Sequence, residues 1–151
     1  MVGAVTLRPG DPEDASACAR ILNAWIDTTD WMPRCHSPEN VERHYRDAVL
    51  AKCDVTVAER EGRVVGFIGI DPPDAHITTF YVDGQTRGEG IGKDLLDMAK
   101  GRWPSGLDLW TFVANSEARR FYVREGFTEI QRTDGDNEEC LPDILYRWAP
   151  E

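Results

Sequence analysis

Three glycines, Gly88, Gly90 and Gly92, alternate through residues 87–92, "RGEGIG". A β-branched and aromatic run, "HITTFYV" at 76–82, precedes them, and apolar residues at helical spacing follow in 91–100. Glycine inside a helix or strand costs roughly 0.5–1 kcal/mol relative to alanine. Spending three at one strand-to-helix junction implies a turn with unusual φ, or a backbone that something approaches closely. The junction predicts a central strand, a tight turn, and a helix whose first N–H groups can face an anion.

The remaining chain supplies partners for that strand and helix. Residues 4–10 read as a short strand. Asp11 as N-cap and Pro12 at the first helical position open a helix with Cys18, Leu22 and Trp25 at helical spacing. Ser37 and Pro38 repeat that start. Residues 54–59 and 64–70 form a hairpin around "REGR", and 107–113 is another strand. Residues 115–126 read as a helix closed by Gly126, and 127–132 and 143–148 as two last strands; Gly101 is expected to end the helix after the glycine turn. The pattern predicts one α+β domain over 1–151: a mixed, mostly antiparallel sheet of about seven strands flanked by about four helices.

The 27 acidic against 17 basic residues give a net charge of −10, which weighs against nucleic acid or an anionic membrane as partner. Neither a leader nor an apolar run of about 20 residues stands in the chain, so a cytoplasmic location is expected. Cys18, Cys35, Cys53 and Cys140 lack metal-ligand spacing and read as ordinary thiols; no metal is expected.

Spacing tests which anion the turn suits. A GxxxxGK[ST] loop fails, because Arg87 and Asp94 fall at required positions; GxGxxG fails in both registers, at Lys93 and at Leu95. The pattern [QR]xxGx[GA] fits 87–92, and also 85–90. "NSEARRFYVREGF" then follows at 115–127, with Asn115, Ala118, Phe121, Tyr122, Gly126 and Phe127 at the positions of NxxAxxFYxxxGF. With these two blocks in this order the chain resembles the GCN5-related N-acetyltransferases, nearest in look to phosphinothricin-like and uncharacterised small-molecule acetyltransferases.

That resemblance implies acetyl-CoA as cosubstrate. Backbone amides of Arg87, Gly88, Gly90, Gly92 and Lys93 would hold its pyrophosphate, with Arg87 and Lys93 adding positive charge. Val82 would pair with the pantetheine arm, and Phe80 or Tyr81 would line the thioester slot. Asn115 would bond the cofactor or cap its helix, two roles the residues leave open. Tyr122 would protonate the leaving sulfur.

The base is open among His76, Asp83 and Glu89, since Thr78 and Thr79 stand where many family members place a glutamate. Trp31 and Arg34, between the first two helices, are expected to wall the acceptor pocket and clamp an acceptor carboxylate. A small-molecule primary amine is the expected acceptor; a protein N-terminus or lysine, or a non-catalytic acyl-CoA-binding module, are the alternatives. The family also admits a homodimer.

Overall fold

The computed structural model describes residues 4–86 and 88–150. Strand β1 (Thr6–Pro9) leads into α1 (Ala15–Thr28) through a 3-10 turn, Pro12–Asp14. There Asp11 accepts from the Glu13 N–H at 2.8 Å, and Asp14 accepts from the Asp11 N–H at 3.0 Å. This reciprocal capping satisfies donors that a helix start leaves open. Helix α2 (Pro38–His44), capped by the Ser37 hydroxyl at 3.1 Å, runs on through a π-helical turn, Tyr45–Val49, to a last turn at Leu50–Lys52.

Strands β2 (Asp54–Arg60) and β3 (Arg63–Asp71) form the hairpin, followed by β4 (His76–Val82) and α3 (Ile91–Arg102). Helix α3 passes through Gly101, which was expected to end it, and stops at Trp103, whose N–H still reaches the Ala99 carbonyl at 2.9 Å. Strand β5 (Leu107–Phe112), α4 (Ser116–Arg124), β6 (Thr128–Thr133) and β7 (Asp143–Trp148) complete the fold.

The seven strands lie in the order β1-β2-β3-β4-β5-β7-β6, and β4 with β5 is the parallel pair. Alternation along the strands sends side chains to two cores. On one face α1 and α2 pack Cys18, Ile21, Val41 and Tyr45 against Val55, Val57 and Phe67. On the other α3 and α4 pack Ile91, Leu95, Leu96 and Tyr122 against Ile68, Ile70, Leu107 and Leu109. Full burial of such an apolar side chain contributes about 1.5–3 kcal/mol.

The central parallel pair is short. Strands β4 and β5 are in register at His76 and Asp108 alone, at the start of both. One step on, Thr79 pairs with Gly69 and Ile77 with Ile70, leaving Thr78 out of the register, with its hydroxyl donating to the Gly69 carbonyl at 3.2 Å. Such a bulge bends a strand and increases its twist. Its tightness shows at Gly69, where an added Cβ would lie 2.8 Å from the Thr79 methyl. Thr79 is held from the other side by a 2.7 Å hydrogen bond with the Tyr45 hydroxyl. Beyond the bulge β4 and β5 separate.

Candidate active site

The separation leaves a cleft of about 620 Å³ that runs between β4 and β5 and across the start of α3 and α4. Phe80, Val82, Gly88, Gly90, Gly92, Lys93, Asn115 and Tyr122 all line it. Arg87 lies outside the described residues.

Helix α3 begins on glycine. Gly88 and Gly90 have φ of 84° and 83°, left-handed values that disfavour most side chains. Gly90 is the N-cap and offers no capping side chain, unlike Asp11, Ser37 and Asn115 at other helix starts. The first closed helical bond is Asp94 N–H to the Gly90 carbonyl at 3.0 Å. Among the described residues the N–H groups of the preceding turn have no backbone acceptor and stand beside the cleft. A Cβ at Gly92 would meet Phe80, Val82 and Phe121 at ordinary distances of 3.7–3.8 Å. The chain itself has room there, and the bare backbone leaves that room to a ligand.

The charge near this turn differs from the expectation. The Lys93 ammonium donates to Asp97 at 3.1 Å and to Glu125 at 3.2 Å, and these carboxylates raise its pKa. Its charge is thus compensated within the protein. Glu89 is paired with Arg60 at 2.7 Å. The cleft also carries Arg120 and Arg124 from α4, which the motif reading passed over. Their i, i+4 spacing on the helix opened by Asn115 was the signal available. Among the described residues Arg120 has no ionic partner, while Arg124 lies 3.3 Å from Glu125.

Tyr122 is buried among Phe80, Phe121, Phe127 and Tyr146, with ring centroids 5.4–6.4 Å away. Burial pushes its phenol pKa well up, with a smaller contribution from Tyr81. The hydroxyl therefore keeps its proton across neutral and mildly alkaline pH, the state a general acid requires. Asn115 spends its side-chain oxygen as the α4 cap, accepting from Ala118 N–H at 3.1 Å. Its amide nitrogen is the part left for a ligand.

Several expected residues fall elsewhere. His76 stands at the joined end of β4, its Nδ1 hydrogen-bonded to Asp108, and does not line the cleft. Asp83 is bound by the Gln85 N–H at 3.0 Å and by Arg20 at 3.2 Å. Burial alone would raise its pKa, but these partners and Arg63 outweigh that and hold it below the usual carboxylate range.

Arg34 is turned to α1, donating to Asn23 and Asp27 at 2.9 Å, so it braces a loop and is not aimed at the cleft. Trp31 packs edge-on against Trp25 at 5.6 Å and Phe112 at 5.9 Å, both of which line the cleft. It backs the wall it was expected to form. Trp25, read from the sequence as a core position of α1, is itself part of that wall.

A mixed sheet forked between its parallel strands, an uncapped helix start beside the fork and a buried, protonated phenol define the acyl-CoA N-acyltransferase class. Residues 51–129 match the model of the acetyltransferase (GNAT) domain. The chain belongs to the GNAT family: it is an acyltransferase, with the family's donor, acetyl-CoA.

It is 28% identical over 131 residues to the peptidyl-lysine N-acetyltransferase YiaC of Escherichia coli, covering 85% of this chain and 88% of that protein. Its fold matches apo YjaB of Escherichia coli with a TM-score of 0.79, 22% identity, and coverage of 98% of this chain and 99% of the other. It also matches the PaiA N-acetyltransferase of Thermoplasma acidophilum, solved in complex with coenzyme A, with a TM-score of 0.75, 18% identity, and coverage of 97% and 99%. Among the described residues no helix is long and apolar enough to cross a membrane.

Proposed function

We propose that this protein transfers the acetyl group of acetyl-CoA to the primary amine of a small molecule by direct attack. The observation that carries this reading is one cleft holding both the open α3 start and the proton-bearing Tyr122. Acetyl-CoA supplies the activated acyl thioester. The N–H groups at Gly90–Lys93 grip its diphosphate with the help of the helix dipole. The free edge of β4 up to Val82 offers main-chain groups to the pantetheine arm, as a sheet edge does to an added strand.

The amine enters between β4 and β5 from the α1 side. Its nitrogen bonds to the acetyl carbon as the C–S bond breaks, and sulfur takes the Tyr122 proton. The proton shed by nitrogen passes to water and restores the phenol. An amine of pKa about 10.4 must give up roughly 4.6 kcal/mol to be neutral at pH 7. The aromatic walls favour that neutral form by desolvation. Thr78 and Thr79 provide no carboxylate for the step, and His76 lies outside the cleft.

The similarity to a peptidyl-lysine acetyltransferase favours a second reading, in which the acceptor is a lysine of a protein. Release of free thiol from acetyl-CoA, measured with a panel of small amines and of lysyl peptides, tests both. Release with small amines supports the first reading. Release with peptides alone supports the second, and release with neither refutes both.

A further inference from the structure

Irregular backbone from three separate segments converges on one hydrogen bond at the fork. Tyr45 begins the π-helical turn Tyr45–Val49, and Thr79 follows the β4 bulge at Thr78. Gly69 stands opposite Thr79 in β3, where a Cβ would lie only 2.8 Å from the Thr79 methyl. Single π-turns recur at functional sites, and bulges re-aim side chains. With its methyl against Gly69 and its oxygen 2.7 Å from the Tyr45 hydroxyl, the Thr79 side chain is fixed in one rotamer.

The direction of that bond follows from burial. Tyr45 is 3% exposed, and among the described residues its hydroxyl has no hydrogen-bond partner but Thr79. Burial holds its pKa well above the ordinary phenol value, so its proton is always present. A buried donor left unmade costs more than a spare lone pair, so Tyr45 donates and Thr79 accepts. The hydrogen of Thr79 is then uncommitted, on a residue that lines the cleft. A hydroxyl whose oxygen already accepts a hydrogen bond is a stronger donor through its own hydrogen.

From this geometry we infer that the Thr79 hydroxyl, turned and polarised by Tyr45, donates to the thioester carbonyl oxygen as that oxygen becomes negative. The inference rests on the acetyl-transfer reading above and adds a catalytic residue to it. Phe80, the next residue along β4, lies 6.4 Å from the Tyr122 ring and flanks the place which that reading gives to the sulfur. The acyl carbon is bonded to the sulfur, and Thr79 lies one residue nearer the closed end of the fork. Attack by nitrogen moves the C=O π electrons onto oxygen; they return as the C–S bond breaks and sulfur takes the Tyr122 proton. Thr79 keeps its own proton throughout and stabilises the transient charge. Tyr45 touches no substrate and is a positioning residue.

Infrared spectra of protein-bound acetyl-CoA, isotopically labelled at the acetyl carbonyl, test this without any acceptor. The carbonyl band should lie lower in the wild type and in Thr79→Ser than in Thr79→Val or in Thr79→Val combined with Tyr45→Phe. The combined variant removes both polar partners, so it keeps its fold where Thr79→Val alone strands a buried phenol. Thr79→Val should also lose about 100-fold in kcat, with the amine or lysyl peptide that releases thiol, at unchanged CoA affinity by calorimetry. Tyr45→Phe should lose less, and nothing further in the Thr79→Val background. A carbonyl band that does not move in either valine variant, or a loss confined to the acceptor KM, overturns the inference and leaves acetyl transfer standing. A band that moves as expected, in a protein that releases thiol with no acceptor, sustains the contact and refutes acetyl transfer instead.

Discussion

Gly90→Asp, set against Gly90→Asn, isolates the charge that the α3 start is shaped to receive. Gly90 has φ 83° and ψ 7°, and a Cβ there meets nothing within 4 Å. Neither substitution therefore clashes. Both carry the left-handed penalty of about 1 kcal/mol, which asparagine and aspartate bear best. The two variants then differ by one negative charge beside the open N–H groups. At about 5 Å from a single phosphate charge, with an effective dielectric of about 20, the repulsion is 332/(20 × 5), or about 3 kcal/mol. That corresponds to roughly a 200-fold difference in Kd. Isothermal calorimetry with CoA should show Asp far weaker than Asn, with a gap that narrows as salt is added. Thermal melts of the two free proteins should agree to within a few degrees, because the helix dipole tolerates the carboxylate. Equal CoA affinity in both variants would refute a diphosphate at this helix start.

Three further outcomes follow from other parts of the molecule. Tyr122→Phe should lower kcat by about 100-fold or more with little change in CoA affinity. Since burial raises the Tyr122 pKa, wild-type kcat should show no loss from phenol ionisation below about pH 10, and an alkaline limb near pH 8–9 that vanishes in the variant would contradict this. Gly69→Ala places a methyl 2.8 Å from the Thr79 side chain, which Tyr45 already pins; urea unfolding should show a loss of about 1–3 kcal/mol. Asp14→Asn removes an acceptor that Arg8 grips with two 2.9 Å bonds, and should cost about 1–3 kcal/mol at pH 7. The Arg8 bond is the main reason the Asp14 pKa is lowered, so its stabilisation is present above about pH 4 and fades as pH falls through the lowered folded value; the two proteins should converge in stability there.

Local chemistry wrote most of the fold into the sequence. Asp11 caps the 3-10 turn that leads into α1, Ser37 caps α2 as expected, Asn115 takes the capping role, one of the two left open for it, and the β-branched run of 76–82 is the central strand. Gly101 failed as a stop because a single glycine lowers helix stability by only about 1 kcal/mol, and α3 is held by the packing of Leu95, Leu96 and Ala99. The cleft was legible where a motif fixes backbone shape, at Gly88, Gly90 and Asn115.

It was illegible where partners meet from distant segments. Nothing around Lys93 announces Glu125, and nothing around Arg34 announces that Asn23 and Asp27 will claim it. His76 misled for a topological reason: which end of β4 parts from β5 depends on the bulge at Thr78, a pairing irregularity with no local marker. Trp25 shows the same limit, because helical spacing separates inward from outward positions but does not separate a core from a cavity wall.

The fork between β4 and β5 has a consequence for the protein's fate as well as for its chemistry. Most sheets leave their unsatisfied hydrogen-bonding capacity at the rim; here some of it lies on a seam through the middle, fastened at one end by His76 and Asp108. On the proposed reading the donor molecule fills this seam and supplies the hydrogen-bonding groups that β4 and β5 leave open there. A ligand at a hundred times its Kd adds about 2.7 kcal/mol to folding stability. On that reading added CoA raises the melting temperature of this chain, and its folding stability is linked to the concentration of its cosubstrate.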